Sequence, residues 1–219
     1  MSGTIGNTRK LVTSAMLIAV GTVISFVCEF IPFLNLPFGG TITIASTLPV
    51  VLISYMYGLS WGFGSAFVFA LMQMVVGMKT VSALFTPSSD SFMGIGIAIA
   101  VIMLDYILAF TSLGLGGIFR NLKSRTGALV LGAVVAGLAC YFFHFVSGAL
   151  FYGAWAEWFF TDTVLKDLPV SKWIMENLTG GGLAAVYSAV YNGCYMIPEI
   201  VITAVIAVPL SRIPPVRKY

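Results

Sequence analysis

The stretch GALVLGAVVAGLACYFFHFVSGALF, residues 127–151, decides the fold class of this chain. It runs for 25 residues without an aspartate, glutamate, lysine or arginine, and it contains the single histidine of the chain, His144. About 20 consecutive apolar residues are enough to cross a bilayer as an α-helix. The stretch therefore predicts a transmembrane helix. A composition of 59% apolar and 9% charged residues extends that prediction to an integral membrane protein.

Further apolar runs of similar length are separated by glycine and proline turn signals. Six helices and their loops use up the 219 residues, so we expect one all-α membrane domain covering residues 1–219. The predicted fold is a bundle of six transmembrane helices. Their predicted ranges are about 10–32, 43–57, 60–78, 93–118, 127–151 and 184–210.

Basic residues collect on one side of this predicted bundle. Of the eleven lysines and arginines, eight lie near the termini or in the loop between helices 4 and 5: Arg9, Lys10, Arg120, Lys123, Arg125, Arg212, Arg217 and Lys218. Short loops rich in lysine and arginine stay cytoplasmic. We therefore expect a multi-pass protein of the cell membrane with both termini cytoplasmic and residues 154–183 outside. The net charge of +3 then reflects topology and gives no argument for nucleic acid.

The sequence has no recognisable catalytic, metal or cofactor motif. Cys28, Cys140 and Cys194 lie in apolar segments, where we expect small buried side chains without metal-ligand spacing. A G-x-x-x-x-G-K-[ST] phosphate loop is absent, so the chain is not expected to hydrolyse ATP. No serine–glycine elbow or H-E-x-x-H helix supports an intramembrane enzyme, and a proton-coupled carrier stays open as an alternative.

Four ionisable side chains fall inside the predicted helices: Glu29, Asp105, His144 and Glu199. A charge at the bilayer centre costs about 2.5–3.5 kcal/mol on insertion scales and usually marks a cavity or pathway. Glu29 lies near the outer end of helix 1, where we expect it to reach interfacial water. Asp105 has no lysine or arginine close in sequence, so it is expected to be protonated, bonded to a neighbouring helix or facing a hydrated cavity, and we favour the cavity. Glu199 is left without a role.

Small, polar and aromatic residues surround His144 at helical spacings: Tyr141, Ser147, Gly148, Tyr152 and Trp155. A lone histidine can simply join two helices by a hydrogen bond, but this face suits a pocket wall better than a lipid contact. Helix 6 repeats the pattern in Tyr187, Tyr191, Asn192, Tyr195 and Glu199. We interpret Tyr191 as part of an outer aromatic belt. The remaining residues predict a site for a flat, partly charged small molecule.

Three segments carry a family resemblance: LDYILAFTSLGLGGIF in helix 4, YFFHFVSGALFYG in helix 5 and VYSAVYNG in helix 6. Together they resemble the thiamine-binding membrane subunit, the S component of the ThiT family, of energy-coupling factor vitamin transporters. The similarity is clearest in helices 4 to 6. It implies the six-helix S-component fold, thiamine or a related vitamin as ligand, and no cofactor. It also implies a coupling transmembrane subunit and two ATPase subunits as partners.

The same resemblance implies the binding residues. The acidic–tyrosine pair of helix 4 corresponds to Asp105 and Tyr106, and the helix 5 histidine to His144. The helix 6 motif corresponds to Tyr187 and Asn192. Neighbouring aromatic residues complete the expected substrate site, which consists of Asp105, Tyr106, His144, Tyr152, Tyr187, Asn192 and Tyr195.

Some positions depart from the family pattern. Asp105 stands where relatives often have glutamate, and Tyr152 stands where a tryptophan can occur, which leaves room for a related vitamin or precursor. The outer loop 154–183 is long, and its tryptophans Trp155, Trp158 and Trp173 are candidates for part of a lid. The loop after helix 1 offers only Phe38 as an aromatic candidate.

Helix 1 contains Ala15-x-x-x-Ala19, a pair of small residues that permits close approach of another helix. The family uses an A-x-x-x-A pattern to dock the coupling subunit. We therefore expect Ala15 and Ala19 to form the docking surface, with ordinary packing inside the bundle as the alternative.

Overall fold

The computed structural model describes residues 2–36, 39–163 and 165–217, with side chains described for 6–36, 39–163, 165–214 and 216. Its long helices are α1 Ser2–Glu29, α3 Leu59–Val76, α5 Gly94–Gly117, α6 Arg125–Phe151 and α9 Gly180–Leu210. Its shorter helices are α2 Leu48–Tyr57, α4 Met78–Ala83, α7 Ala156–Asp162, α8 Pro169–Asn177 and α10 Pro214–Arg217. Single 3₁₀ turns form at Pro32–Leu34 and Gly153–Trp155. The described part of the chain contains no strand beyond one isolated bridge between Asn35 and Thr41.

The predicted all-α membrane fold is confirmed, and one of the six expected spans is short. Five of the helices are long and apolar enough to cross a bilayer: α1 from Gly6, α3, α5, α6 and α9. The sixth, α2, has 10 residues, or about 15 Å at 1.5 Å per residue, against a hydrocarbon core of about 30 Å.

The expected start of this helix at residue 43 is therefore wrong. Ile44 and Ala45 have φ angles of 45° and 64°, in the left-handed region that a right-handed helix cannot include. The helix begins only after Thr47, with Pro49 in its first turn, where a missing N–H is tolerated.

α2 occupies the middle of the bundle. Every residue from Leu48 to Met56 is buried, and Tyr57 alone is partly exposed. A helix that is apolar on all sides is expected to be surrounded by other helices. α1, α3, α6 and the end of α5 pack around α2. The outer faces of the long helices present exposed apolar side chains such as Leu11, Met16, Val205 and Leu131.

Small residues allow the long helices to approach closely. A side chain at Gly132 of α6 would overlap the carbonyl oxygen of Gly116 near the end of α5. At the other end of α6, a Cβ at Gly148 would meet the Ser188 hydroxyl and lie 3.0 Å from Nδ2 of Asn192, both on α9. These contacts fix α6 against α5 at one end and against α9 at the other.

α5 is not a uniform α-helix. The turn Met103–Leu108 is wound as a π-helix, and the last six residues, Ser112–Gly117, form a 3₁₀ helix. Single π turns within α-helices are frequent at functional sites because they redirect side chains. The π turn of α5 contains Asp105 and Tyr106, the two helix 4 residues singled out in the sequence.

Candidate ligand-binding site

A cavity of about 520 Å³ lies at one end of the bundle. At this end α1, α3 and α6 finish and α5 and α9 begin, so it is opposite the chain termini. It reaches the surface near Glu29 and Lys79, whose side chains are exposed. The distribution of basic residues predicts this end to be outside.

All seven predicted substrate residues line this one cavity: Asp105, Tyr106, His144, Tyr152, Tyr187, Asn192 and Tyr195. They come from α5, α6 and α9 and from the residue that follows α6. The sequence reasoning therefore selected residues that the fold brings together.

Asp105 is held by two neighbours on α6. Nδ1 of His144 lies 2.9 Å from Oδ1 of Asp105, and the Ser147 hydroxyl donates to Oδ2 at 2.7 Å. With a carboxylate as acceptor, Nδ1 of His144 carries the proton of this bond. His144 is 9% and Asp105 20% exposed, so the carboxylate faces the cavity while the imidazole supports it from behind. His144 therefore joins α6 to α5 by a hydrogen bond and also forms part of the cavity wall, so both interpretations offered for it apply.

Aromatic rings surround this pair. The His144 ring packs edge-on against Phe110 and Tyr195, with centroid separations of 5.9 and 5.8 Å. Tyr106 packs 6.3 Å from Phe110, and its hydroxyl lies against Gly77, the residue that follows α3, where a Cβ would lie 2.5 Å from it. The cavity thus presents flat apolar faces beside one carboxylate.

Three tyrosines of α9 follow one another along the same wall. Tyr187 and Tyr191 pack with centroids 5.5 Å apart, and the Tyr191 hydroxyl donates to the Gly39 carbonyl at 3.0 Å. The interpretation of Tyr191 as an interfacial belt residue is wrong, because its side chain is 6% exposed and lines the cavity. Its helical spacing of four from Tyr187 and Tyr195 places all three rings on one face.

The loop before α2 covers part of this wall. It turns at Gly39 and Gly40, whose φ angles are 99° and 86°, and a Cβ at Gly40 would lie 2.6 Å from the Tyr195 ring. Only glycine permits both this backbone conformation and this contact. Phe38, the aromatic candidate in this loop, lies outside the described residues.

Asn192 is committed to the helix contact as well as to the cavity. Its Nδ2 donates to the Ser188 carbonyl at 2.9 Å and to the His144 carbonyl at 3.2 Å, and its Oδ1 accepts from the Tyr195 hydroxyl at 2.7 Å. The residue therefore joins α6 to α9 and orients the Tyr195 ring.

Glu199 is a buried residue of the cavity lining, and the sequence left it without a role. The carboxyl is 4% exposed, and it accepts from the backbone N–H of Thr43 at 3.1 Å and from the Thr47 hydroxyl at 3.3 Å. Thr43 and Thr47 were missed because this contact joins residues more than 150 positions apart, and no local pattern in the sequence places the segment before α2 against α9. Gln73, bonded to Ser25 at 2.9 Å, is another polar lining residue without a motif in the sequence.

The segment predicted to lie outside contains α7 and α8 in its described residues, 154–163 and 165–183. None of the tryptophans Trp155, Trp158 and Trp173 lines the cavity, although Trp155 packs 5.6 Å from Tyr152. Phe159 of α7 instead packs against two tyrosines of the cavity wall, with centroid distances of 5.3 Å to Tyr187 and 5.6 Å to Tyr191.

Three further sequence expectations have a structural outcome. Cys28 and Cys140 are buried as predicted, whereas Cys194 is exposed, because α9 turns it away from the cavity face that carries Tyr195. Ala15 and Ala19 are exposed on α1, so ordinary packing inside the bundle does not account for them. Glu29 is exposed at the cavity mouth, in agreement with access to interfacial water.

The fold and the cavity together define the chain as a multi-pass α-helical membrane protein with an internal cavity of small-molecule size, since ligand pockets commonly occupy about 300–1,000 Å³. More specifically, the chain belongs to the thiamine transporter protein family (Thia_YuaJ), whose profile matches residues 11–158. The matched range runs from within α1 into α7 and does not include α9.

A curated relative and a solved structure extend the match. The chain is 27% identical over 207 residues to the thiamine transporter ThiT of Bacillus subtilis (strain 168), covering 90% of this chain and 87% of the relative. A match of that length necessarily extends into α9. The structure of ThiT from Listeria monocytogenes superposes with a TM-score of 0.65 at 20% identity, covering 96% of this chain and 97% of that one. This similarity supports the same all-helical fold.

Proposed function

We propose that the chain is the substrate-binding membrane subunit of an energy-coupling factor transporter and that its cavity binds thiamine from outside for ATP-driven uptake. Membership of the thiamine transporter family supports the transport role. The relative from Bacillus subtilis, named a thiamine transporter, supports the choice of vitamin.

The observation that carries the proposal is the Asp105 carboxylate held by His144 and Ser147 among aromatic rings. Thiamine has a permanent positive charge on its thiazolium ring and a flat aminopyrimidine ring. Its site therefore needs an anion, aromatic faces for stacking and cation–π attraction, and a few oriented polar groups. Asp105 supplies the anion next to the Tyr195 and Tyr106 rings.

The proposal assigns ATP hydrolysis to other chains. The sequence lacks a phosphate-binding loop for ATP. The proposed partners are a coupling transmembrane subunit and two ATPase subunits. The exposed pair Ala15 and Ala19 offers a surface on which a partner helix can approach closely.

Proteoliposomes containing the purified chain alone test this division of labour against a proton-coupled carrier. Labelled thiamine is expected to bind at up to one molecule per chain and not to accumulate in the lumen under an imposed pH gradient. Gradient-driven accumulation by the chain alone would contradict the proposal. Accumulation that requires added coupling and ATPase subunits together with ATP would support it.

A further inference from the structure

The short helix α8 exposes an apolar face at the cavity end of the bundle. Its residues Ser171 and Ile174 face the protein, where both are buried. Val170 and Trp173 are 56% and 57% exposed, although their side chains are largely apolar. Residues three apart are neighbours on a helix surface. Val170 and Trp173 therefore form one continuous apolar face that the described part of the chain leaves uncovered.

A charged face adjoins the apolar one. Lys172 and Glu176, four residues apart on α8, are both exposed. A rotation of about 100° per residue places this pair on one side of the Val170–Trp173 face and the buried pair on the other. The amide of Asn177 folds back, and its Nδ2 donates to the Trp173 carbonyl at 2.8 Å. The helix thus has a protein-facing, an apolar and a charged side, which is typical of helices that lie in a membrane interface.

The connection to α9 places α8 at the level of the lipid headgroups. α9 has 31 residues and begins at Gly180. Its length is about 46 Å at 1.5 Å per residue, close to the roughly 40–45 Å of a bilayer with its headgroups. α8 ends at Asn177, and the three Cα steps to Gly180 span at most about 11 Å. When α9 spans the bilayer, α8 therefore lies beside the membrane interface.

The size and composition of the apolar face favour lipid over protein as its partner. A single aromatic side chain buries about 150–250 Å², so Val170 and Trp173 together fall well below the roughly 1,000 Å² of a stable protein interface. Tryptophan is enriched at membrane–water interfaces, where its ring meets apolar surroundings and its N–H meets polar ones. Lys172 and Glu176 remain on the side of α8 that can stay in water.

We propose that α8 is an interfacial helix that binds the bilayer surface at the cavity end of the bundle, with Val170 and Trp173 inserted between the lipid headgroups and the upper acyl chains. The inserted face is uncharged, so the contact requires no particular headgroup. Ile174 of α8 shares the main apolar core with Phe159 of α7, which packs on two cavity tyrosines. Packed side chains thus join this lipid contact to the wall of the cavity.

Nitroxide labelling of α8 in proteoliposomes tests the proposal without any ligand. In a cysteine-free background of the full chain, single labels are introduced through Val170→Cys, Trp173→Cys, Lys172→Cys and Glu176→Cys. Power-saturation EPR compares their accessibility to oxygen, which partitions into lipid, and to a water-soluble nickel chelate. The oxygen-to-nickel ratio is expected to be higher at positions 170 and 173 than at 172 and 176. The last two are matched controls, because all four are exposed positions of one helix.

A second measurement needs no label. Lipids brominated on the upper part of the acyl chain quench tryptophan emission on contact. Trp173→Phe is expected to remove a share of the emission that these lipids quench in the wild-type protein, because Trp173 is the exposed tryptophan of α8. Thermal unfolding of each variant checks that the fold is retained.

Distinct results would overturn the proposal. If the nickel chelate reaches positions 170 and 173 as readily as 172 and 176, the apolar face lies in water. If positions 170 and 173 are protected from both reagents, another protein surface covers them, such as a second copy of this chain. A high oxygen-to-nickel ratio at all four positions would mean immersion of the whole helix. An unchanged quenched share in Trp173→Phe would equally contradict insertion of this side chain.

Discussion

Nδ1 of His144 lies 2.9 Å from Oδ1 of Asp105, and this contact joins the regular helix α6 to the π-wound turn of α5. Ser147, three residues after His144, completes the support by donating to Oδ2 at 2.7 Å. One face of α6 thus positions the carboxylate that we propose binds the cationic ring of thiamine. Residues of this face are expected to affect ligand binding even where they do not touch the ligand.

Ser147→Ala tests this positioning. Loss of the hydroxyl removes one neutral-to-charged hydrogen bond from Asp105, so thiamine affinity is expected to fall by about 1 kcal/mol, or roughly fivefold. The measurement is a binding titration on purified protein. Ser112→Ala is the matched control. Ser112 is a buried serine of α5 whose hydroxyl donates to the Ala109 carbonyl, and it does not line the cavity. Equal affinity losses in both variants would argue against a positioning role.

Gly148→Ala tests the close packing of α6 on α9. The added Cβ would meet the Ser188 hydroxyl and lie 3.0 Å from Nδ2 of Asn192, so overpacking is expected to cost about 1–3 kcal/mol of unfolding free energy. Thermal unfolding in detergent measures the loss. Gly96→Ala in α5 is the control, since its Cβ would meet nothing within 4 Å, and it is expected to leave the midpoint unchanged or raise it. A Gly148 variant as stable as the Gly96 variant would contradict the packing described.

Ala15→Leu and Ala19→Leu test the docking surface on α1. Both alanines are exposed, so larger side chains are expected to leave thiamine binding by the isolated chain within about twofold, since surface substitutions usually change free energy by less than 0.5 kcal/mol. Assembly with the coupling subunit and cellular uptake are expected to fall. Gly64→Leu on α3, another exposed position, where a Cβ would meet nothing within 4 Å, provides the control. If binding and uptake fall together in the alanine variants, the two alanines belong to the internal packing instead.

Cysteine labelling tests the predicted orientation. In a cysteine-free background, a cysteine at Ser124 is expected to be protected from an impermeant thiol reagent in intact cells, and one at Glu157 is expected to react. The reason is the concentration of lysine and arginine on the side that holds the termini and the loop before α6. Labelling of Ser124Cys, but not Glu157Cys, from outside would reverse the orientation and place the cavity on the cytoplasmic side.

The sequence was sufficient for the five long helices and for one half of the site. Long apolar runs separated by glycine and proline predict five of the spans directly, and helical spacing places His144 beside Ser147 and aligns Tyr187, Tyr191 and Tyr195. These relationships are local, and a period of 3.6 residues determines them.

The other half of the site depends on irregular backbone. The left-handed residues Ile44 and Ala45 shorten α2 and bring Thr43 and Thr47 to Glu199, and neither residue type normally signals such a conformation. The π turn at Asp105 and the burial of Tyr191 under Gly39 likewise depend on contacts between distant segments. A single sequence read through local patterns contains no direct record of such contacts.

The most direct test of the central claim is a thiamine titration of the purified chain, followed by tryptophan fluorescence and without any ion gradient. Trp155 packs against the cavity residue Tyr152, so occupancy is expected to change the emission. Wild type is expected to respond to thiamine and not to pyridoxine or riboflavin. Asp105→Asn is expected to bind thiamine about 1.5–3 kcal/mol more weakly, or roughly 10- to 100-fold, because the charge-assisted contact is lost. A wild type that ignores thiamine and responds to another vitamin would contradict the proposed substrate, and an Asp105→Asn variant that binds thiamine as tightly as wild type would contradict the proposed site.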